Sequence, residues 1–140
     1  MSNVQTLVFE AKQQNISFRV GLMHEENPDV VAKVLETLPF ESLAGHVVIS
    51  GEGFWMPTKI VHLGRNNMVT RTPGSVYFYA PGQTICMTYG AITESALVNK
   101  FGQVFEEDMD VFRSLGQTVW EKTVADPVKE TVKIGIRSAA

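Results

Sequence analysis

Between residues 44 and 90 a turn-making residue recurs every few positions: Gly51, Gly53, Pro57, Gly64, Asn66-Asn67, Pro73-Gly74 and Pro81-Gly82. Glycine reaches positive φ, proline fixes φ and lacks a donor, and asparagine tolerates the left-handed region, so each of these punctuates the chain. The short runs between them predict strands near 45–50, 53–57, 60–63, 68–71, 75–80 and 84–89. Strands this short and this numerous close into a barrel or stack as a sandwich, because either arrangement hides their edges.

The flanks add to this set. Residues 5–10 and 16–22 (QTLVFE, ISFRVGL) are apolar or alternating, and Lys12-Gln13-Gln14-Asn15 separates them. That pattern predicts a hairpin in which Arg19 sits on the face opposite Ile16, Phe18 and Val20. Residues 98–105 and 130–137 predict two more strands. Asn27-Pro28-Asp29 predicts a helix start, with Asn as cap, Pro in the first turn and an acid at the positive dipole end. Val30, Val31, Val34, Leu35 and Leu38 then form one apolar stripe, and Pro39 ends it. Glu106-Glu107-Asp108 opens a second helix whose stripe is Met109, Phe112, Leu115 and Val119. Gly116 costs about 1 kcal/mol against Ala inside a helix, so a break or bend is expected there. The reading is a mainly β fold: a closed or nearly closed barrel, capped by two helices, forming a single domain over 1–140.

Charge and motifs exclude several functions. The net charge is −3, and no more than two Lys or Arg residues are neighbours, so no nucleic-acid footprint exists. No apolar run approaches the roughly 18 residues of a membrane span. The lone Cys86 forms no internal disulfide, and the N-terminal stretch lacks a basic start and an apolar core. Both suit a reducing cytoplasm. His24, His46 and His62 show neither HxH nor HExxH spacing, and no phosphate-cradling glycine motif is present, so no metal or cofactor is expected.

The densest chemistry lies in residues 45–57, GHVVISGEGFWMP. Strict alternation puts His46, Val48, Ser50 and Glu52 on one strand face. A histidine and a carboxylate on one face can serve as base and orienter. A hydrogen-bonded histidine at a barrel end and a solvated turn glutamate are the other readings. Trp55, Tyr77, Tyr79 and Tyr89 suit the walls of a pocket, as they suit core packing. Arg71, before the Thr72-Pro73-Gly74 turn, is expected at a rim, free in solvent or clamping a carboxylate; Arg19 is a second such candidate. Cys86, between Ile85 and Met87, reads as a buried inert thiol.

Several pieces occur together in order: Leu38-Pro39 before His46, Ser50-Gly51-Glu52 with Trp55 and Pro57, Pro73-Gly74 before a Tyr-rich strand, Tyr89-Gly90, Asn99 before Phe101, and Leu115-Gly116. In these the chain resembles small prokaryotic cyclophilin-like proteins of unassigned function. The resemblance implies a cyclophilin-like barrel. It does not carry over prolyl isomerase activity, because the Phe-His-Arg stretch of true cyclophilins is missing. The barrel is also similar to the catalytic domain of cucumopine synthase, which condenses histidine with 2-oxoglutarate, so such a barrel can host small-molecule chemistry. Fold alone does not assign function. Two expectations follow. One is a small-molecule site, with His46 and Glu52 as acid–base groups acting on a small polar or carboxylated metabolite, walled by Trp55, Tyr77, Tyr79 and Tyr89 with Arg71 beside it. The other is a non-catalytic homo-oligomer or interaction module, with Phe54 and Trp55 exposed at a barrel rim.

Overall fold

A computed structural model describes residues 5–139. The strands are β1 (Thr6–Ala11), β2 (Ile16–Leu22), β3 (Phe40–His46), β4 (Gly51–Pro57), β5 (Met68–Thr70), β6 (Ser75–Tyr79), β7 (Thr84–Ile92), β8 (Leu97–Val104) and β9 (Val132–Ser138). All observed pairings are antiparallel, in the order β2-β1-β9-β3-β4-β7-β6-β8-β5. A further pairing of β2 with β8 closes eight of them into a barrel, and β5 lies outside as an extra strand on β8. The helices are α1 (Pro28–Thr37) and α2 (Met109–Trp120).

Alternation fills the barrel. Leu7, Phe9, Phe18 and Val20 point inward from the first hairpin, as do Phe54 and Met56 from β4 and Ile134 and Ile136 from β9. Met109, Phe112, Leu115 and Val119 of α2 and Val30, Val31 and Val34 of α1 join the same core. The rings of Phe9, Phe18, Phe112 and Phe54 form a chain at 4.9–5.7 Å between centroids. The predicted hairpin holds: a tight turn over Lys12–Gln14 ends on Asn15 at φ 56°. Arg19 lies on the outer face as expected, but it clamps the chain's own Asp108 through Nε at 2.8 Å and Nη2 at 3.0 Å. The first helix starts where the sequence places it, while the acidic residues Glu106–Asp108 form a 3-10 turn that leads into α2. The side chain of Asn27 caps α1 and Leu38 leaves the helical region before Pro39.

Three expectations about the elements fail. The strand predicted at 45–50 is displaced: β3 ends at His46, and Val48 and Ile49 leave the sheet, 72% and 82% exposed. The reversal into β4 needs that stretch, because β3 and β4 already pair at His46↔Phe54 and Gly51 takes φ +131°. Residues 60–63 form no strand. That segment is held by side chains instead: Nε2 of His62 lies 2.6 Å from Oδ1 of Asn66, whose amide donates to Asp29. Finally, α2 continues unbroken through Gly116. The glycine is there because a Cβ would occupy the ring of Tyr89.

No helix among the described residues is long and apolar enough to cross a membrane. Phe54 is fully buried and Trp55 half-buried, so the expected exposed aromatic rim does not exist.

Candidate functional site

The aromatic and polar candidates divide between two cavities. Tyr89 points into the barrel from β7, while Tyr77, Tyr79 and Trp55 point out of it. The single walled pocket expected from the sequence is therefore two pockets. They meet at the segment 47–52, and Val47 borders both.

The first is a cavity of about 610 Å³ at one mouth of the barrel, lined by His46, Glu52, Tyr89, Gln117 and Trp120 among others. His46 is the last residue of β3 and its ring faces inward. Nδ1 lies 2.5 Å from the carbonyl of Val47, and Nε2 lies 2.7 Å from the hydroxyl of Tyr89. A carbonyl can only accept, so Nδ1 carries the hydrogen. In the neutral ring Nε2 then accepts the Tyr89 O–H. Burial pushes the imidazole below its ordinary value, with the Val47 bond and the charge of Glu52 pulling partly the other way. Burial, aided by the charge of Glu52, pushes the Tyr89 phenol up to about 12. The pair is a neutral, hydrogen-bonded acid–base couple. The indole of Trp120 meets the imidazole edge-on at 5.0 Å between centroids.

Glu52 reaches this cavity by a bulge rather than by alternation. Gly51 pairs with Ile92 and Gly53 with Thr88, so one residue of β4 faces three of β7. Its Oε1 accepts the amide of Ala91 at 2.8 Å, and its side chain lies over Gly90. A Cβ on Gly90 would collide with that carboxylate. Among the described residues nothing bonds Oε2. Trp120 and Gln117 were not read from the sequence as site residues. The available signal was Trp120 standing one position past the apolar stripe at the end of α2.

The second cavity, about 590 Å³, lies on the outer face of the barrel wall and is lined by Trp55, Arg71, Tyr77, Tyr79, Cys86 and Leu97 with their neighbours. Trp55 lies flat over Gly45, where a Cβ would meet its ring. Tyr77, Cys86 and Val98 form a small buried cluster against it. Cys86 is buried, its Sγ is 3.4 Å from Oγ1 of Thr84, and burial pushes the thiol up to about 11, so it is the inert thiol expected. Arg71 is not a rim charge. It is 7% exposed, and its Nη2 donates to the carbonyls of Ser50 at 3.1 Å and Glu94 at 2.6 Å. No group of three metal-ligating side chains occurs among the described residues.

No family model matches the sequence, and no curated protein matches it. Solved structures do. The structure of McbB in complex with tryptophan is similar at a TM-score of 0.83 and 26% identity, over 96% of this chain and 45% of that one. This chain thus spans less than half of McbB. The solution structure of the hypothetical protein AF2241 from Archaeoglobus fulgidus is similar at a TM-score of 0.68 and 18% identity, over 99% of this chain and 100% of that one. The latter shares the fold alone, and as a hypothetical protein of the same extent it fits the expected small barrel of unassigned function.

Proposed function

We propose that this chain is a small-molecule-binding barrel whose ligand sits at the mouth, over His46, Tyr89 and Glu52. The observation that carries the reading is the buried His46–Tyr89 hydrogen bond opening, beside a carboxylate, onto a cavity of ligand size. Glu52 keeps one oxygen for the cation or N–H of a small amine, and the indole of Trp120 offers a stacking wall. The complex of McbB with tryptophan supports an aromatic amine or amino acid as the first ligand to try. If chemistry follows binding, the couple moves one proton. The ligand gives it to the oxygen of Tyr89 while the phenolic proton passes to Nε2 of His46. The resulting imidazolium is held by the Val47 carbonyl and faces the charge of Glu52.

Calorimetric titration with tryptophan, then with other amino acids, keto acids and cyclic amides, tests the reading. Saturable binding that Glu52→Gln weakens about tenfold, with melting unchanged, is expected. Gln keeps the acceptor for Ala91, so the fold is a fair control. Silence across the panel, or binding indifferent to Glu52→Gln and His46→Gln, overturns it.

The interaction-module reading keeps one foothold. Val48 and Ile49 stand exposed side by side at the edge of this cavity. If a second copy covers them, Ile49→Asp turns an oligomer into a monomer on size exclusion. A wild-type chain that is already monomeric at high concentration ends that reading.

A further inference from the structure

We infer that the outer-face cavity is a second ligand site, separate from the mouth, and that it takes a compact aromatic carboxylate through Arg71. The argument starts from an unbalanced charge. Arg71 is a buried residue, 7% exposed, yet among the described residues no carboxylate lies within ion-pair distance of its guanidinium. Its Nη2 donates to two carbonyls, those of Ser50 and Glu94. Nε and Nη1 bond no described carbonyl or carboxylate. Carbonyl dipoles fix the orientation of a guanidinium but leave its charge uncompensated, and a buried charge without a counter-ion is costly. The phenol of Tyr77 lies within hydrogen-bonding reach of Arg71, and that contact and the positive charge both oppose the rise that burial imposes on the phenol. Two acids border the same region. Glu94 edges the cavity, and Glu52 edges a recess of about 10 Å³ between the two pockets. Neither pairs with Arg71.

The rest of the cavity is aromatic and apolar. Trp55 forms a flat floor because Gly45 lets the ring lie on the sheet. Tyr77 and Tyr79 stand on the same strand face, and Tyr79 is 52% exposed. Leu97 closes the rim at 55% exposure. A planar fork at one end of an aromatic slot of about 590 Å³ recognises a carboxylate on a short arm from a ring. The mouth lacks an arginine and presents a carboxylate, so it selects the opposite charge.

The chain has two tryptophans, one at each site: Trp55 at the outer cavity and Trp120 at the mouth. Trp120→Phe protein therefore reports the outer site alone, and Trp55→Phe protein the mouth alone. The probes are 3-phenylpropionate and its cationic counterpart 2-phenylethylamine, neither of which competes with indole fluorescence. Saturable change in Trp55 emission with the acid, and none with the amine, is expected. Arg71→Gln should weaken the acid about tenfold. Because Arg71 also ties down Ser50 and Glu94, Leu97→Asp is the second variant. It sets a like charge at the exposed rim and should weaken the acid to a similar extent without lowering the melting temperature. No saturable response at Trp55, a response at Trp120 instead, or undiminished binding by Leu97→Asp overturns the inference. Failure of the mouth to bind amines leaves it standing.

Discussion

The ring of Tyr89 fills the space that a Cβ on Gly116 would need. One glycine in α2 thereby sets how closely the helix approaches β7, and with it the position of the hydroxyl that His46 holds. Gly116→Ala gains about 1 kcal/mol of helix propensity. It also drives a methyl group into a buried ring, and overpacking of this kind costs about 1–3 kcal/mol. Tyr89 is 4% exposed and wedged against Phe54 and Phe112, so it has nowhere to go. The expected outcome is a lower melting temperature by several degrees, together with loss of mouth-site binding. A rise in melting temperature would mean the ring yields freely.

His46 makes the fold acid-sensitive above the carboxylate range. Its folded value lies below the ordinary 6.5, chiefly through burial. The folded state therefore binds fewer protons than the unfolded chain, and stability rises with pH through this window. The contribution is complete above about pH 6.5 and is lost as pH falls through the folded value. Asp108, held low first by its hydrogen bond from Arg19, loses its contribution only below its ordinary 3.8. Urea midpoints measured between about pH 7.5 and about pH 5 should fall for the wild type and stay flatter for His46→Gln. Parallel curves for the two proteins would place the acid sensitivity elsewhere.

Much of the barrel is legible from turn residues, and the failures have physical causes. Val47-Val48-Ile49 has the β-branched texture of a strand, but β3 and β4 pair on either side of it, so it is spent on the reversal. The residues that do form β3 include exposed Glu41 and Leu43 and two small ones, Ala44 and Gly45, whose local signal is weak. Alternation puts His46 and Glu52 on one face, and both line one cavity, but Glu52 reaches it through the bulge at Gly51 and Gly53. Tyr77 and Tyr89 sit on opposite faces of the wall, a distinction that needs the register of β6 on β7. Trp120 joins the site from a helix far along the chain, and contact across that separation leaves no local pattern.

Cys86 should be a slow thiol despite lining a cavity. With its value near 11, the reactive thiolate is scarce at neutral pH. Native protein should resist iodoacetamide for hours at about pH 8, and protein in urea should label fully at the rate of a free thiol. Rapid labelling of the native chain would show that the Trp55–Cys86 wall opens.

Asn27 is the polar pin between α1 and the barrel. It is fully buried, its Oδ1 caps Val30 at 3.5 Å, and its Nδ2 donates to Oδ1 of Asn99 at 2.7 Å and to the carbonyl of Lys100 at 2.9 Å. Asn99 in turn accepts the amide of Asn67 and donates to the carbonyl of Gly64, so the irregular 58–67 segment hangs on the same network. By capping preference alone Asn27→Asp is neutral, since both residues cap well. By the network it is severe. The new carboxylate faces two acceptors, has no hydrogen for either, and is buried without a cation. Loss of about 3 kcal/mol or more is expected from denaturant titration, against about 1–3 kcal/mol for Asn27→Ser, which keeps a small capping oxygen and adds no charge. Equal stability of Asn27→Asp and wild type would show that the cap, and not the link to Asn99, is what this asparagine contributes.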